Sequence, residues 1–490
     1  MTTNLPLTQI FLLFLSAFSI PLLKKNAQAK ALSLISLIVA FILSVVTLWY
    51  VATNGGFFYS AGYQGTIWGI GFYIGNIESV LSTCFSFVII CIVWFSTLTI
   101  DYEIQESRVK LFYTLLSLLT GSLLGIIYTN DIFNGYVFIE VAALTSCGIV
   151  LIKDKQENIK AALKYLIMST IGSGLILMGI AFLYSYTGHL NIHLIHEQII
   201  SGYSHYYKSL LIVLALFTAG LGVKSAMFPL HAWLPDAHAS APTASSAFLS
   251  GIVLKAFAYF LIKFIFRIIG IEIVSQFNIL LIILILGSSG MLFGSLVAIF
   301  QKNIKRLVAY SSIAQMGYVF FGIGLGSVFG ASVAIFHMMG HAMTKSALFL
   351  CSGLMIEKTG EKDIDQYRGL GHEMPITFIL FTLGALSMIG IPILPGFISK
   401  WYLSIESINL NKILLIFVIL VSSLLNAVYY FPIIINGFFG IENLKDKEYK
   451  SKKVTNTKLV PIAVLIISMI LLGAFSKVIL EFINAGVVIG

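Results

Sequence analysis

Apolar stretches about as long as a bilayer-crossing helix recur from one end of the chain to the other, separated by short polar breaks. A helix spanning the hydrocarbon needs roughly 20 such residues. Fourteen stretches qualify, near residues 6–23, 32–52, 78–100, 110–128, 131–152, 161–186, 208–231, 242–268, 277–300, 305–327, 328–354, 374–400, 411–439 and 457–485. They are far longer than the roughly 9–11 residues of a membrane barrel strand, so strands are not a competing reading. The first stretch has neither a basic leader nor a small-residue cleavage site, and reads as a retained helix. The pattern predicts an all-α polytopic membrane protein with about 14 transmembrane helices.

Composition agrees. Of 490 residues, 58% are hydrophobic and 10% charged, and the mean hydropathy is +0.96. Soluble chains carry about 25% charge, so a soluble surface cannot be built from this sequence, and disorder is excluded for the same reason. The net charge of +9 would suggest nucleic acid until the charges are placed. Odd-numbered loops hold 21 Lys and Arg, among them Lys24, Lys153, Lys302, Lys358 and the run Lys445 to Lys458, against four (Lys208, Lys263, Arg267, Lys412) in or beside even-numbered loops. That asymmetry reports topology and no nucleic-acid partner. It predicts a multi-pass protein of a prokaryotic inner membrane with both termini outside the cytoplasm and the 440–458 loop inside it. Cys84, Cys91, Cys147 and Cys351 are scattered and form no CxxC pair, so they read as small buried hydrophobes, and no cluster, zinc or other cofactor is indicated.

The polar residues left inside the apolar stretches carry the chemistry. They are Lys224, Lys255, Lys345 and Lys400 among the bases, Glu140 as the one acid deep in a run, and His337 and His341. All four arginines fall in loops or at helix ends. Arg cannot deprotonate in a protein, whereas Lys, His and Glu can, and burial moves their pKa values toward cellular pH. Each such charge costs about 2.5–3.5 kcal/mol on insertion scales and needs a partner or water. Polar glue between helices is the bland alternative; it suits one lysine better than the whole set. His337, His341 and Lys345 repeat at i, i+4 and i+8, which lines them along one helix face over roughly 12 Å. Two histidines at that spacing can hold zinc, but no third ligand accompanies them.

Two stretches contain helix breakers beside a lysine. The seventh carries Gly220, Gly222, Lys224 and Pro229; the twelfth carries Gly390, Pro392, Pro395, Gly396 and Lys400. Broken helices at matching positions of two repeats are the sequence pointer to an ion site in inverted-repeat transporters. The expected organisation is residues 1–105 as three leading helices, 106–270 and 271–440 as two inverted five-helix repeats (helices 4–8 and 9–13), and 441–490 as a cytoplasmic loop and helix 14. GIGLGS at 322–327 lacks a preceding strand and reads as close helix packing. The polar loop 231–246, with His231, Asp236 and His238, is either a mouth or a turn.

These residues resemble a known family. Glu140, GVKSAMFPLHAWLPDAHASAPTASSAFLSGIVLKAFAY (222–259), KRLVAYSSIAQMGY (305–318), HMMGHAMTKSALFL (337–350) and GIPILPGFISKWY (390–402) are similar to the antiporter-like subunits shared by respiratory complex I, Mrp-type Na⁺/H⁺ antiporters and membrane-bound energy-converting hydrogenases. The likeness covers roughly residues 80–480. Lys400 resembles the Mrp D-type and complex I N-type members, WLPDAH resembles the hydrogenase and M-type members, and the length resembles the short type.

The resemblance implies a mid-membrane proton path in which Glu140 modulates Lys224, Lys255 is the central relay, and His337 and His341 lead to Lys400, with Lys345 on the same face. It also implies a subunit moving protons, alone or coupled to Na⁺, among other membrane subunits that include further antiporter-like ones, with no redox centre of its own. The sequence leaves open whether the parent assembly is an oxidoreductase or an antiporter. An autonomous secondary antiporter is the alternative; a quinone, haem or iron–sulfur enzyme lacks the ligand clusters, and an inert scaffold leaves the lysines unexplained.

Overall fold

The computed structural model describes residues 4–61, 70–440 and 455–488. The chain opens with α1 (Leu5–Ser19) and α2 (Asn26–Asn54), then an antiparallel hairpin of β1 (Phe57–Ala61) and β2 (Ile70–Ile74) in which Phe57 faces Ile74. Next come α3 (Asn76–Glu103), α4 (Val109–Tyr128), α5 (Ile132–Leu151), α6 (Gln156–Thr187) and α7 (Ile192–Lys224). Two short helices, α8 (Leu234–Ser240) and α9 (Thr243–Phe248), lead through a π-helical turn (Leu249–Val253) into α10 (Leu254–Lys263). A second π-helical stretch (Phe264–Gly270) then runs into α11 (Ile271–Val274).

The second half holds α12 (Ile279–Ile299), α13 (Ile304–Gly324), α14 (Val328–Thr359), α15 (Leu370–Glu373), α16 (Pro375–Ile389), α17 (Pro395–Asn409) and α18 (Leu414–Phe439). It ends with α19 (Val460–Ala474) and α20 (Ser476–Asn484). Of the lysine run predicted to be cytoplasmic, Lys445, Lys447, Lys450, Lys452 and Lys453 lie outside the described residues.

Apart from the β1–β2 hairpin the protein is a helical polytopic membrane protein. Among the described residues, eleven helices are long and apolar enough to cross a bilayer. The other three expected spans fall on α9–α10, on α14 and on the α16–α17 pair, whose interruptions and polar side chains lower their apolarity. The apolar span of the seventh helix begins at Tyr207, close to the expected 208; the helix itself starts at Ile192, where Asn191 caps it by accepting from His193 N at 3.0 Å, and ends at Lys224, short of the expected 231. The 52–78 connection also holds the hairpin, tied to the rest by Asn130 N donating to Gly71 O at 2.8 Å.

In hydrocarbon there is no hydrophobic force between helices, so close packing has to come from small residues. The α12–α13 pair shows this. A Cβ on Gly287 would lie 2.6 Å from Phe321 N, and one on Gly317 would lie 2.6 Å from Met291 N. Gly322 and Gly324 of the GIGLGS run sit in similar contacts, the first against Gly330 O and the second against the backbone of Leu284. α14 runs through the centre, buried almost continuously from Gly330 to Met355, and packs on α3, α13, α16, α17 and α19.

Candidate functional site

Both predicted interruptions are present. α7 ends at Lys224, and the chain turns through 225–233 before α8. A helix end leaves its last carbonyls without intrahelical donors. Here Met227 N donates to Gly222 O at 2.8 Å and Trp233 Nε1 to Val223 O at 3.0 Å. Lys224 Nζ donates to Ser169 Oγ at 2.8 Å and lies 3.6 Å from Glu140 Oε1, so α5, α6 and α7 meet at this amine. The Lys224 side chain is 1% exposed, that of Glu140 31%. Glu140 thus lies in the middle of α5, within its apolar run, with its side chain only partly buried. At 3.6 Å the pair is an ion pair and not a hydrogen bond.

The second interruption separates α16 from α17, which starts at Pro395; a proline suits a first helical turn because its missing N–H would have no partner there. Lys400 reaches back across the break, donating to Met388 O at 2.8 Å and Ile389 O at 2.9 Å, the carbonyls that α16 leaves free. Asn426 Nδ2 also donates to Met388 O, at 3.1 Å. An ammonium at a helix C-terminus is favoured by the partial negative charge there. The amine also lies 5.0 Å from the centre of the Tyr318 ring, a cation–π distance. Each break contains a side-chain-bearing residue in the left-handed region, Ala226 at φ 55° and Ile393 at φ 76°. For a β-branched residue that is a strained conformation, and such strain clusters at functional sites.

Lys255 stands at the start of α10, fully buried, just past the first π-helical turn. Its Nζ donates to Ser250 O within that turn. Lys345, also fully buried, donates to Val308 O at 3.0 Å and to Ser311 Oγ, with Tyr430 Oη at 3.3 Å. On the same helix the His337 and His341 rings stack 5.8 Å apart. His337 Nδ1 pairs with Ser399 Oγ of α17 at 2.7 Å, next to Lys400. His337 Nε2 and both nitrogens of His341 have no partner among the described residues. The i, i+4, i+8 line is therefore real and wholly buried. Among the described residues no three His, Cys, Asp or Glu side chains gather as a metal site requires.

Other buried charges were not foreseen. Glu78 is completely enclosed at the start of α3, accepts from Tyr259 Oη at 2.5 Å and from Arg267, and lies 3.8 Å from Lys263. Lys263 in turn donates to Ile127 O and Thr129 O at 2.6 and 3.0 Å, the last carbonyls of α4. Arg267 donates to Val487 O at 3.2 Å and to Gly486 O. Lys263 and Arg267 lie near a helix end, as expected, but they are buried there, and Glu78 joins Glu140 as an acid inside the bundle. The π-helical stretch carries the helix on to Gly270, so both cations stay within protein, and Glu78 and main-chain carbonyls compensate them. Lys305, also read as a loop residue, is buried with its Nζ 3.1 Å from Ala241 O. Glu103, at the end of α3, accepts from Thr243 N at 2.9 Å and pairs with Lys153 at 3.0 Å. An acid in the first turn of α3, followed at i+4 spacing by Tyr259, Lys263 and Arg267 on one helix face, was the available signal.

Residues 129–426 match the family described as NADH:quinone oxidoreductase/Mrp antiporter, transmembrane. The chain is 35% identical over 385 residues to NADH-quinone oxidoreductase subunit N of Desulforudis audaxviator, covering 76% of this chain and 75% of that one. It is 31% identical to subunit M of the same enzyme from Rickettsia prowazekii, covering 98% and 96%. Among solved structures, a chain of the membrane-bound sulfane sulfur reductase, an archaeal respiratory membrane complex, superposes with a TM-score of 0.88 at 27% identity, covering 99% of this chain and 97% of that one. With broken helices, buried lysines and a family match that spans both interruptions, the chain belongs to the antiporter-like membrane subunits of the NADH:quinone oxidoreductase/Mrp family.

Proposed function

We propose that this chain translocates protons, alone or coupled to Na⁺, as one subunit of a multisubunit membrane complex. Glu140 tunes the charge of Lys224. Lys255 is the central relay, and His341, His337 and Lys345 connect it with Lys400. The α4–α10 and α12–α18 segments act as two inverted halves, each with its own break and its own lysine. The lysine-rich loops face the cytoplasm, and both termini lie on the opposite side. The partners are other membrane subunits, as the names of the relatives suggest for those proteins, and further antiporter-like chains among them.

One observation carries this reading. Lys255, Lys345 and Lys400 are buried amines whose partners are carbonyl and hydroxyl oxygens, with no carboxylate among them. A carboxylate would lock an ammonium in its charged state, whereas neutral acceptors leave the amine free to take and release a proton. A structural cation at Lys255 should tolerate Arg; a relay should not, because Arg holds its proton at any accessible pH. Lys255→Arg is therefore expected to pump at less than about a tenth of the wild-type rate, a loss of the size expected for removing one proton-transfer group. Dye quenching in vesicles at matched protein levels reads the rate. Near wild-type pumping by Lys255→Arg would remove Lys255 from the path.

A further inference from the structure

His238 has no part in the row just described, yet its position asks for an account. It lies in the last turn of α8 with no exposed surface. Its main-chain oxygen accepts from Ser246 Oγ at 2.8 Å, and its ring packs 5.3 Å from that of Phe349 on α14. Neither ring nitrogen has a partner among the described residues. Buried polar atoms are nearly always satisfied, and one left without a partner costs about 1–3 kcal/mol, so a wholly enclosed imidazole with two free nitrogens points to water or to proton traffic.

Its surroundings favour proton traffic. Lys255, Lys345 and Lys305 all lie within electrostatic reach of the ring. The next residue, Ala239, lines a cavity of about 270 Å³ whose walls include Glu103, Lys153, Lys305 and Thr243. That is room for several waters, each occupying about 30 Å³ in the liquid. The cavity lies on the lysine-rich face, where Lys155 and Lys362 also border it. The cavity thus reaches the chain at the residue after His238, and the buried relay lysine lies within electrostatic reach of the ring.

We propose that His238 is the entry residue of the row, passing protons from this cavity to Lys255. A neutral imidazole accepts on one nitrogen and donates from the other. A proton from cavity water adds to the free ring nitrogen, and the opposite N–H gives its proton to the unprotonated Lys255 amine. This leaves a neutral ring in the other tautomer and one ammonium; rotation of the ring restores the starting state. No charge stays on the histidine, which suits a site already surrounded by three amines.

The inference rests on the relay role proposed for Lys255, and one experiment separates the two. The intact complex is reconstituted in liposomes, a potassium diffusion potential drives protons, and an internal pH dye reads the flux. His238→Gln keeps size and polarity but cannot shuttle a proton; its flux should fall about a hundredfold or more, the lower end of the range for loss of a general acid–base group. His238→Gly should be equally slow and should recover severalfold when imidazole is added on the side of the cavity, which a purely structural histidine would not produce. More than half the flux in His238→Gln, no recovery of assembled His238→Gly by imidazole, or failure of both variants to assemble would each overturn the proposal. Lys255→Arg in the same vesicles tells the two ideas apart: if it is blocked while His238→Gln conducts, only the entry role falls, and if it conducts, the relay itself falls.

Discussion

Lysine side chains inside this bundle are held mostly by oxygen atoms that carry no full charge. Lys400 takes two carbonyls at the end of α16, Lys263 two at the end of α4, and Lys305 one at the end of α8. Lys224 differs from Lys400 and Lys305 in having a carboxylate close by, Glu140 at 3.6 Å, as Lys263 has Glu78 at 3.8 Å. That difference predicts what Glu140→Gln does. Loss of the acid leaves Lys224 with Ser169 and no counter-charge, so its proton is held less firmly and transport should drop about tenfold, a change equivalent to about 1.4 kcal/mol at Lys224. Because the Glu140 carboxylate is partly exposed and the pair is loose, the complex should still assemble, unlike a fully buried pair whose breakage costs about 3–5 kcal/mol. Transport rate and complex recovery, measured together, check both halves; full transport would reduce Glu140 to packing polarity. Lys224, Lys255, Lys345, Lys400, His337 and His341 were legible as candidates in the sequence because polar letters inside apolar runs are costly, and so many together are poorly explained as glue between helices. Glu78, Lys263, Arg267 and Lys305 were not, since each sits at the edge of a run, where one-dimensional pattern cannot tell a solvated end from an enclosed one.

At the scale of elements, the chain's character comes from where helices stop. Pro and Gly announced both breaks, and their main-chain accounts close through Trp233, Asn426 and Lys400. The π-helical turns flanking α10 carry no proline and one glycine each, Gly251 and Gly270; LSGIV and FIFRIIG read as ordinary helix, and the wider turn is not legible in them. The tight α12–α13 seam gives an element-scale prediction. Gly317→Leu would drive a branched side chain into the backbone of Met291 and the oxygen of Gly287. Overpacking of this kind costs typically about 1–3 kcal/mol, and more where backbone is the obstacle. The variant is expected to lose thermal stability and to accumulate poorly, while Gly174→Ala, with open space around its Cβ, should be indistinguishable from wild type. Melting curves of the two in detergent make the comparison; equal curves would mean the seam can open.

For the whole molecule, the C-terminal segment is fastened to the start of α3 and to the π-helical stretch after α10. Arg267 binds carbonyls at Gly486 and Val487 while pairing with Glu78, and Asn76 Nδ2 donates to Phe482 O at 3.0 Å. The last helix is thereby pinned beside the start of α3. The distribution of Lys and Arg among the loops predicts which way this bundle faces. Lys155 is exposed at the start of α6, in a loop of the lysine-rich set. In intact cells, a cysteine at position 155 should resist an impermeant thiol reagent applied outside and react once the membrane is opened. Labelling from outside would invert the topology. The fold class and the order of helices were readable from apolar length alone. The hairpin and the long start of α7 were not, because neither carries an apolar run of its own.

Fixed carbonyls under the lysines also bear on tempo. A helix end held in place by its own hydrogen bonds does not turn when the amine above it gains a proton, whereas water or a mobile carboxylate would have to. Such preorganised dipoles make the reorganisation accompanying each charging step small. On the proposed relay, hopping between Lys255, Lys345 and Lys400 would then need little activation, and the slow event would move to the arrival of water or the turning of a side chain between them. A rate limited in that way responds to whatever hydrates the gaps more than to the strength of any one amine as a base.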